Sequence, residues 1–182
     1  MIRSLVPNLT FRPADPCDEP VLRDMLYLAV FVPPGNPPAD YSVVEQPELA
    51  RYVNGWGRLG DDGIIAVASN DQPLGAAWMR LWCAQDRGYG FVDALTPELI
   101  LAVRPEVRGG GIGTELLRRL LRRADQSHAR VSLSMSVQNP AVRLYERLGF
   151  VAVAVDGASM TMSRVRPDRG RPMANDLEGR SA

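Results

Sequence analysis

The sequence predicts an α/β fold in which strands alternate with helices around a central buried strand. Three stretches carry that prediction. Residues 99–103, Leu-Ile-Leu-Ala-Val, form an unbroken apolar run, as expected of a strand covered on both faces. Residues 111–124 place Leu116, Leu117, Leu120, Leu121 and Ala124 on one stripe of a helix and Arg118, Arg119, Arg122 and Arg123 on another. Residues 131–137 read as a returning strand, and strand–helix–strand units are right-handed in nearly all folds.

The remaining elements are taken in chain order. Residues 10–12 suit a short first strand. Residues 18–31 suit a helix, with Val21, Leu22, Met25, Leu26, Leu28 and Ala29 on its apolar side. The segment 32–38 holds four prolines in seven residues and reads as a stiff loop. Residues 43–54 suggest a weaker helix. Residues 63–69 and 73–81 form a hairpin around Asn70-Asp71-Gln72. A polar, glycine-containing and aromatic loop spans 82–96. Residues 140–148 suit a short helix that admits Pro140 in its first turn. A second hairpin joins 150–155 to 159–165 through Asp156-Gly157, a strong turn signal. One domain is expected over 1–166, with a disordered tail over 167–182, where polarity is high and periodicity absent.

Composition narrows the function. The chain has 182 residues and no net formal charge, its 21 basic residues balancing 21 acidic ones. A nucleic-acid partner calls for a basic excess that is missing here. All 21 bases are arginine, read as compositional bias, and the chain holds no lysine. Cys17 and Cys83 have neither metal nor redox spacing, and no metal is expected. No stretch suits a signal peptide or a membrane span, so a cytoplasmic location is expected.

The most informative motif is the turn Arg108-Gly109-Gly110-Gly111-Ile112-Gly113, between the central strand and the long helix. Such a turn aims several backbone N–H groups at one point, with the positive end of a helix dipole behind them. That arrangement is a phosphate cradle. A nucleotide-triphosphate loop requires G-x-x-x-x-G-K-[ST], which a chain without lysine cannot supply. A dinucleotide fingerprint requires a third glycine and a distant acid; Thr114, Glu115 and Leu116 follow Gly113 instead.

The turn reads as Arg-x-x-Gly-x-Gly through Arg108, Gly111 and Gly113. Before it stands Val103-Arg104-Pro105-Glu106-Val107. After it stands Asn139-Pro140-Ala141-Val142-Arg143-Leu144-Tyr145-Glu146-Arg147-Leu148-Gly149-Phe150. Together these resemble the two signature motifs of the GNAT superfamily of N-acetyltransferases, over residues 98–150. Asn139 stands six residues before Tyr145, where the family often has seven. The resemblance implies a GNAT fold, a mixed twisted sheet of about six or seven strands with helices on both faces. It implies acetyl-CoA as co-substrate. Its diphosphate would lie on Arg108, Gly109, Gly110, Gly111, Ile112, Gly113 and Thr114. Its pantetheine arm would pair with the central strand at Leu101, Ala102 and Val103, where that strand and the next splay apart. Asn139 and Arg143 complete the implied cofactor set; Arg143 or an arginine of 118–123 is placed at the 3′-phosphate.

By the same resemblance Tyr145 lies near the thioester sulfur. A tyrosine of pKa about 10 can protonate a departing thiolate or hydrogen-bond to it; packing in a Leu-Tyr-x-x-Leu-Gly-Phe motif is the alternative. An attacking ammonium is only about 0.1% neutral near pH 7.4, a cost of roughly 4 kcal/mol that a base would relieve. Glu98 is the first candidate, because the family often carries a glutamate on this strand; it stands about one residue off that register, which would reverse its face. Asp93 and Glu45 are weaker candidates. His128 is set aside, since the long helix would hold it about 20 Å from the glycine turn. Trp56, Trp78, Trp82, Tyr89 and Phe91 suit either an acceptor pocket or ordinary packing.

The expected reaction is acetyl transfer to a primary amine by direct attack in a ternary complex, with a small-molecule acceptor. The alternatives are a protein or peptide N-acetyltransferase and a non-catalytic acetyl-CoA-binding module. Neither a nucleic acid nor a membrane is expected as partner, and a homodimer is left open.

Overall fold

The computed structural model describes residues 9–167. Seven strands form one sheet: β1 (Thr10–Pro13), β2 (Asp62–Val67), β3 (Pro73–Arg80), β4 (Glu98–Val103), β5 (Arg130–Ser136), β6 (Val151–Asp156) and β7 (Ser159–Val165). Their order across the sheet is β1-β2-β3-β4-β5-β7-β6. Every pairing is antiparallel except β4 with β5. All seven strands expected from the sequence are present, each within two residues of the expected limits. Only Pro167 of the expected tail lies within the described residues.

Four α-helices cover the sheet: α1 (Glu19–Ala29), α2 (Pro47–Ala50), α3 (Ile112–Ser127) and α4 (Val142–Arg147). The two faces have separate cores. Ile64, Leu99, Leu133 and Phe150 pack under the leucine stripe of α3 on one face. Leu22, Met25 and Leu26 of α1 pack with Tyr52, Ile65 and Trp78 on the other. The central strand divides between them: Leu99, Leu101 and Val103 face α3, whereas Ile100 and Ala102 face α1. Among the described residues no helix is long and apolar enough to cross a membrane.

Helix α3 runs to Ser127, three residues past its expected end, and two further helices depart from expectation. The continuous helix expected over 43–54 is broken. A 3₁₀ turn covers Tyr41–Glu45, and Gln46 is extended (φ −62°, ψ 136°) before α2 begins at Pro47. Proline disfavours the helical conformation in the residue before it, which accounts for the break. Helix α1 stops at Ala29, two residues early. Val30 is extended (φ −62°, ψ 114°), and its N–H is held by the carbonyls of Leu26 and Tyr27. Residues 29–32 thereby leave the helix and turn along the end of β4.

Candidate active site

The parallel pair β4–β5 holds at one register point, Glu98 opposite Ser132. Beyond it the strands part. The orientation of the free β4 groups follows from alternation. Arg104 N–H donates to the Leu74 carbonyl on β3, so the peptide groups of Leu101 and Val103 point the other way, into the gap. Those of Ala102 turn toward β3.

Two cavities open along this gap. The larger, of about 830 Å³, runs from the glycine turn past Leu101, Ala102 and Val103 to Tyr145. The smaller, of about 180 Å³, lies between β4 and β5. Ala29, Val30, Phe31, Leu101, Asn139 and Tyr145 line both, so the cavities adjoin there.

The glycine turn forms one end of the larger cavity. Gly111 caps α3 in the left-handed region (φ 86°), a conformation that strains any residue with a Cβ. Glu115 N–H is bonded to the Gly111 carbonyl, so the amides of Ile112, Gly113 and Thr114 lack helical acceptors. Gly109, Gly111, Ile112, Gly113 and Thr114 line the cavity and Gly110 does not. Arg108 lines it too, with its guanidinium engaged: Nε donates to the Val103 carbonyl (2.9 Å) and Nη2 to the Leu28 carbonyl (3.4 Å). Arg108 thus clasps the end of α1 to the end of β4.

Tyr145 is buried and packs edge-on against Phe150, ring centroids 5.7 Å apart. Burial pushes its phenol above the ordinary tyrosine range. Among the described residues its hydroxyl has no hydrogen-bond partner. Asn139 contributes to both walls while its Oδ1 accepts from Ala141 N–H (2.9 Å), holding the entry to α4. Arg143 is exposed and lines neither cavity. Besides Arg108, the arginine that lines the larger one is Arg147, one turn further along α4.

Glu98 lines the smaller cavity, with its carboxylate buried. Its Oε1 accepts from Tyr52 Oη (2.8 Å) and from Gly90 N–H (2.8 Å). Its Oε2 has no hydrogen-bond partner. The Trp82 indole N–H lies near the carboxylate and favours its charged form, although neither it nor Oε2 has a hydrogen-bond partner. Both atoms press on Gly88: a Cβ there would sit 2.1 Å from Oε2 and 2.6 Å from the indole nitrogen. Burial pushes the Glu98 carboxyl up to about 7, against the opposing pull of the Tyr52, Gly90 and Trp82 donors.

Tyr52 holds this arrangement together, and sequence reading missed it. Its hydroxyl donates to Glu98 and accepts from Tyr89 N–H (2.7 Å). Its ring stacks on Tyr89 at 6.3 Å and 13°. The backbone around Tyr52 is fixed from below by Arg80. Nη1 bonds the Arg51 (2.6 Å) and Asn54 (2.9 Å) carbonyls, and Nη2 bonds that of Gly55 (3.3 Å). Arg80 also makes a bidentate pair with Asp61 (2.9 and 2.6 Å), at 0% and 1% side-chain exposure. Five N–H groups meet five acceptors, the condition under which a buried guanidinium is tolerated.

The other candidates fall outside. Asp93 and Glu45 are exposed and line neither cavity, and His128 caps the far end of α3. Trp56, Trp78 and Trp82 belong to the core on the α1 face, while Tyr89 lines the smaller cavity. Residues 28–32, the C-terminal end of α1 and the three residues after it, form a cleft wall that sequence reading did not assign.

The cleft is thus a sheet parted beside a glycine-capped helix, with a phenol where two cavities meet. The sequence matches the family described as Acetyltransferase (GNAT) domain over residues 61–152, and the chain belongs to that family of acetyl-CoA-dependent acetyltransferases. No curated protein matches it. Among solved structures it is similar to yncA of Salmonella typhimurium, determined with its cofactor acetyl-CoA: 23% identity, TM-score 0.62, covering 92% of this chain and 99% of that one. A chimera of the spermidine N-acetyltransferase SpeG of Vibrio cholerae matches at 17% and 0.57, covering 87% and 95%. The ribosomal-protein-alanine N-acetyltransferase of Brucella melitensis matches at 21% and 0.58, covering 86% and 99%. At these identities the likeness is one of fold.

Proposed function

We propose that the protein transfers the acetyl group of acetyl-CoA to the primary amine of a small molecule by direct attack in a ternary complex. The observation that carries this reading is the meeting of the two cavities at Tyr145, with Glu98 in the wall of the smaller. Acetyl-CoA supplies an activated acyl carbon and a thiolate leaving group. The unpaired amides of Ile112, Gly113 and Thr114 suit its diphosphate. The gap-facing groups of Leu101 and the Val103 N–H suit an extended amide-bearing arm. Arg147 suits the nucleotide phosphate better than Arg143, because it lines the cleft.

Glu98 receives the proton that the attacking ammonium gives up. A carboxyl near 7 is poised for that task, since general bases work best close to the ambient pH. Tyr145, its proton retained by burial, donates to the departing sulfur. The amine nitrogen gains the acyl carbon as the carbon–sulfur bond breaks, the thiol leaves protonated, and the second proton shed by that nitrogen restores the Tyr145 phenol. A cavity of about 180 Å³ supports a small acceptor over a peptide.

Initial rates of thiol release, varied in both substrates across amines, amino acids and peptides, test the scheme. Intersecting double-reciprocal lines are expected. Parallel lines would replace direct attack by an acyl-enzyme.

A further inference from the structure

We infer that the acceptor is a compact monoamine with an apolar or aromatic body and no carboxylate, bound in the smaller cavity with its amine toward Glu98; this rests on the acetyl-transfer reading above. The charge of the cavity carries the inference. Among the described residues Glu98 is the one charged side chain in its wall. No arginine lines it, in a chain with 21 of them. An acceptor carboxylate would lose its hydration and meet no cation, and an unpaired buried charge is strongly disfavoured. A second ammonium would find no second carboxylate.

Several neutral side-chain oxygens of the wall are already engaged within the protein, whereas the Tyr145 hydroxyl and the Leu101 main chain stay open at the seam with the larger cavity. Tyr52 Oη bonds Glu98 and Tyr89 N–H. Ser134 Oγ pairs with Ser159 Oγ (3.2 Å), Ser136 Oγ accepts from Gln138 N–H (3.2 Å), and Asn139 Oδ1 accepts from Ala141 N–H. Among them stand the carbon side chains of Leu26, Phe31, Leu49 and Met135, with the stacked rings of Tyr52 and Tyr89. The volume of about 180 Å³ admits a body on the order of ten heavy atoms. A pocket with one acid and no cation discriminates by charge count.

Two matched pairs of acceptors isolate the charge. 2-Phenylethylamine and phenylalanine differ by a carboxylate; pentylamine and 1,5-diaminopentane differ by a second amine. Thiol release at saturating acetyl-CoA should give each monoamine a kcat/KM at least tenfold above its charged counterpart. Tyr89→Ala removes a ring that is 61% exposed while keeping the backbone N–H, and should raise KM for 2-phenylethylamine several-fold with a smaller change in kcat. Equal or better use of either charged counterpart overturns the inference, as does failure of both monoamines with acetyl-CoA bound. Calorimetry keeps the two levels apart, because a protein that does not bind acetyl-CoA overturns the underlying reading instead.

Discussion

Tyr52 donates a 2.8 Å hydrogen bond to Glu98 across 46 positions of sequence, and the same hydroxyl accepts from the backbone of Tyr89. One phenol thus holds both the Glu98 carboxylate and the loop over it. Tyr52→Phe removes a donor that favours the charged carboxylate and strands the Tyr89 N–H. The acidic limb of kcat/KM should move to higher pH, with about 1–3 kcal/mol of stability lost. A pH–rate profile and urea unfolding read the two effects separately.

Glu98→Gln should lower kcat/KM by ~10²–10⁴-fold near neutral pH and flatten the acidic limb, leaving acetyl-CoA affinity unchanged. The variant has a second signature. The folded carboxyl holds its proton up to about 7, whereas an unfolded glutamate releases it near 4.5. The folded state therefore binds more protons in that window, and this group's stabilising contribution is lost as pH rises through it. Unfolding from pH 4.5 to 8 should show wild type losing stability relative to the glutamine variant.

Tyr145→Phe takes away a hydroxyl that bonds nothing among the described residues. Turnover should fall ~10²-fold or more while calorimetric affinity for acetyl-CoA and the unfolding midpoint stay near wild type. A variant with wild-type kcat would remove Tyr145 from the proton path.

Gly111→Ala forces a Cβ into the left-handed region, a strain of ~1–2 kcal/mol. It also tilts the first turn of α3, where the free amides lie. A lowered melting temperature and weaker acetyl-CoA binding should appear together, and added acetyl-CoA should recover less of the lost stability than it gives wild type.

Arg80→Leu leaves Asp61 buried without its partner and frees three carbonyls of the segment that carries Tyr52. A loss of about 3–5 kcal/mol is expected, measurable by denaturant unfolding.

The strands and the long helix were legible because their signals are local: an apolar run, a leucine stripe, Asp-Gly between two β-rich segments. The glycine turn that starts α3 was legible for the same reason, its glycines being adjacent. The break at Gln46 was also local, since Pro47 announces it, yet the apolar spacing of 43–54 outweighed that cue. The environment of Glu98 was not legible. Its charge state depends on Tyr52, Trp82 and a glycine loop that only the β3–β4 register brings together. Arg143 and Arg147 illustrate the same limit, because one turn of α4 decides which reaches the cleft and composition cannot distinguish them.

The single rung between β4 and β5 has one more consequence. Leu101 offers an N–H and a C=O to the gap, and Val103 an N–H, with no neighbouring strand to receive them. An extended ligand lying there would supply the missing ladder, so the hydrogen bonding of the sheet would be completed from outside the chain. Hydrogen exchange at these two amides should report occupancy as directly as any assay of product.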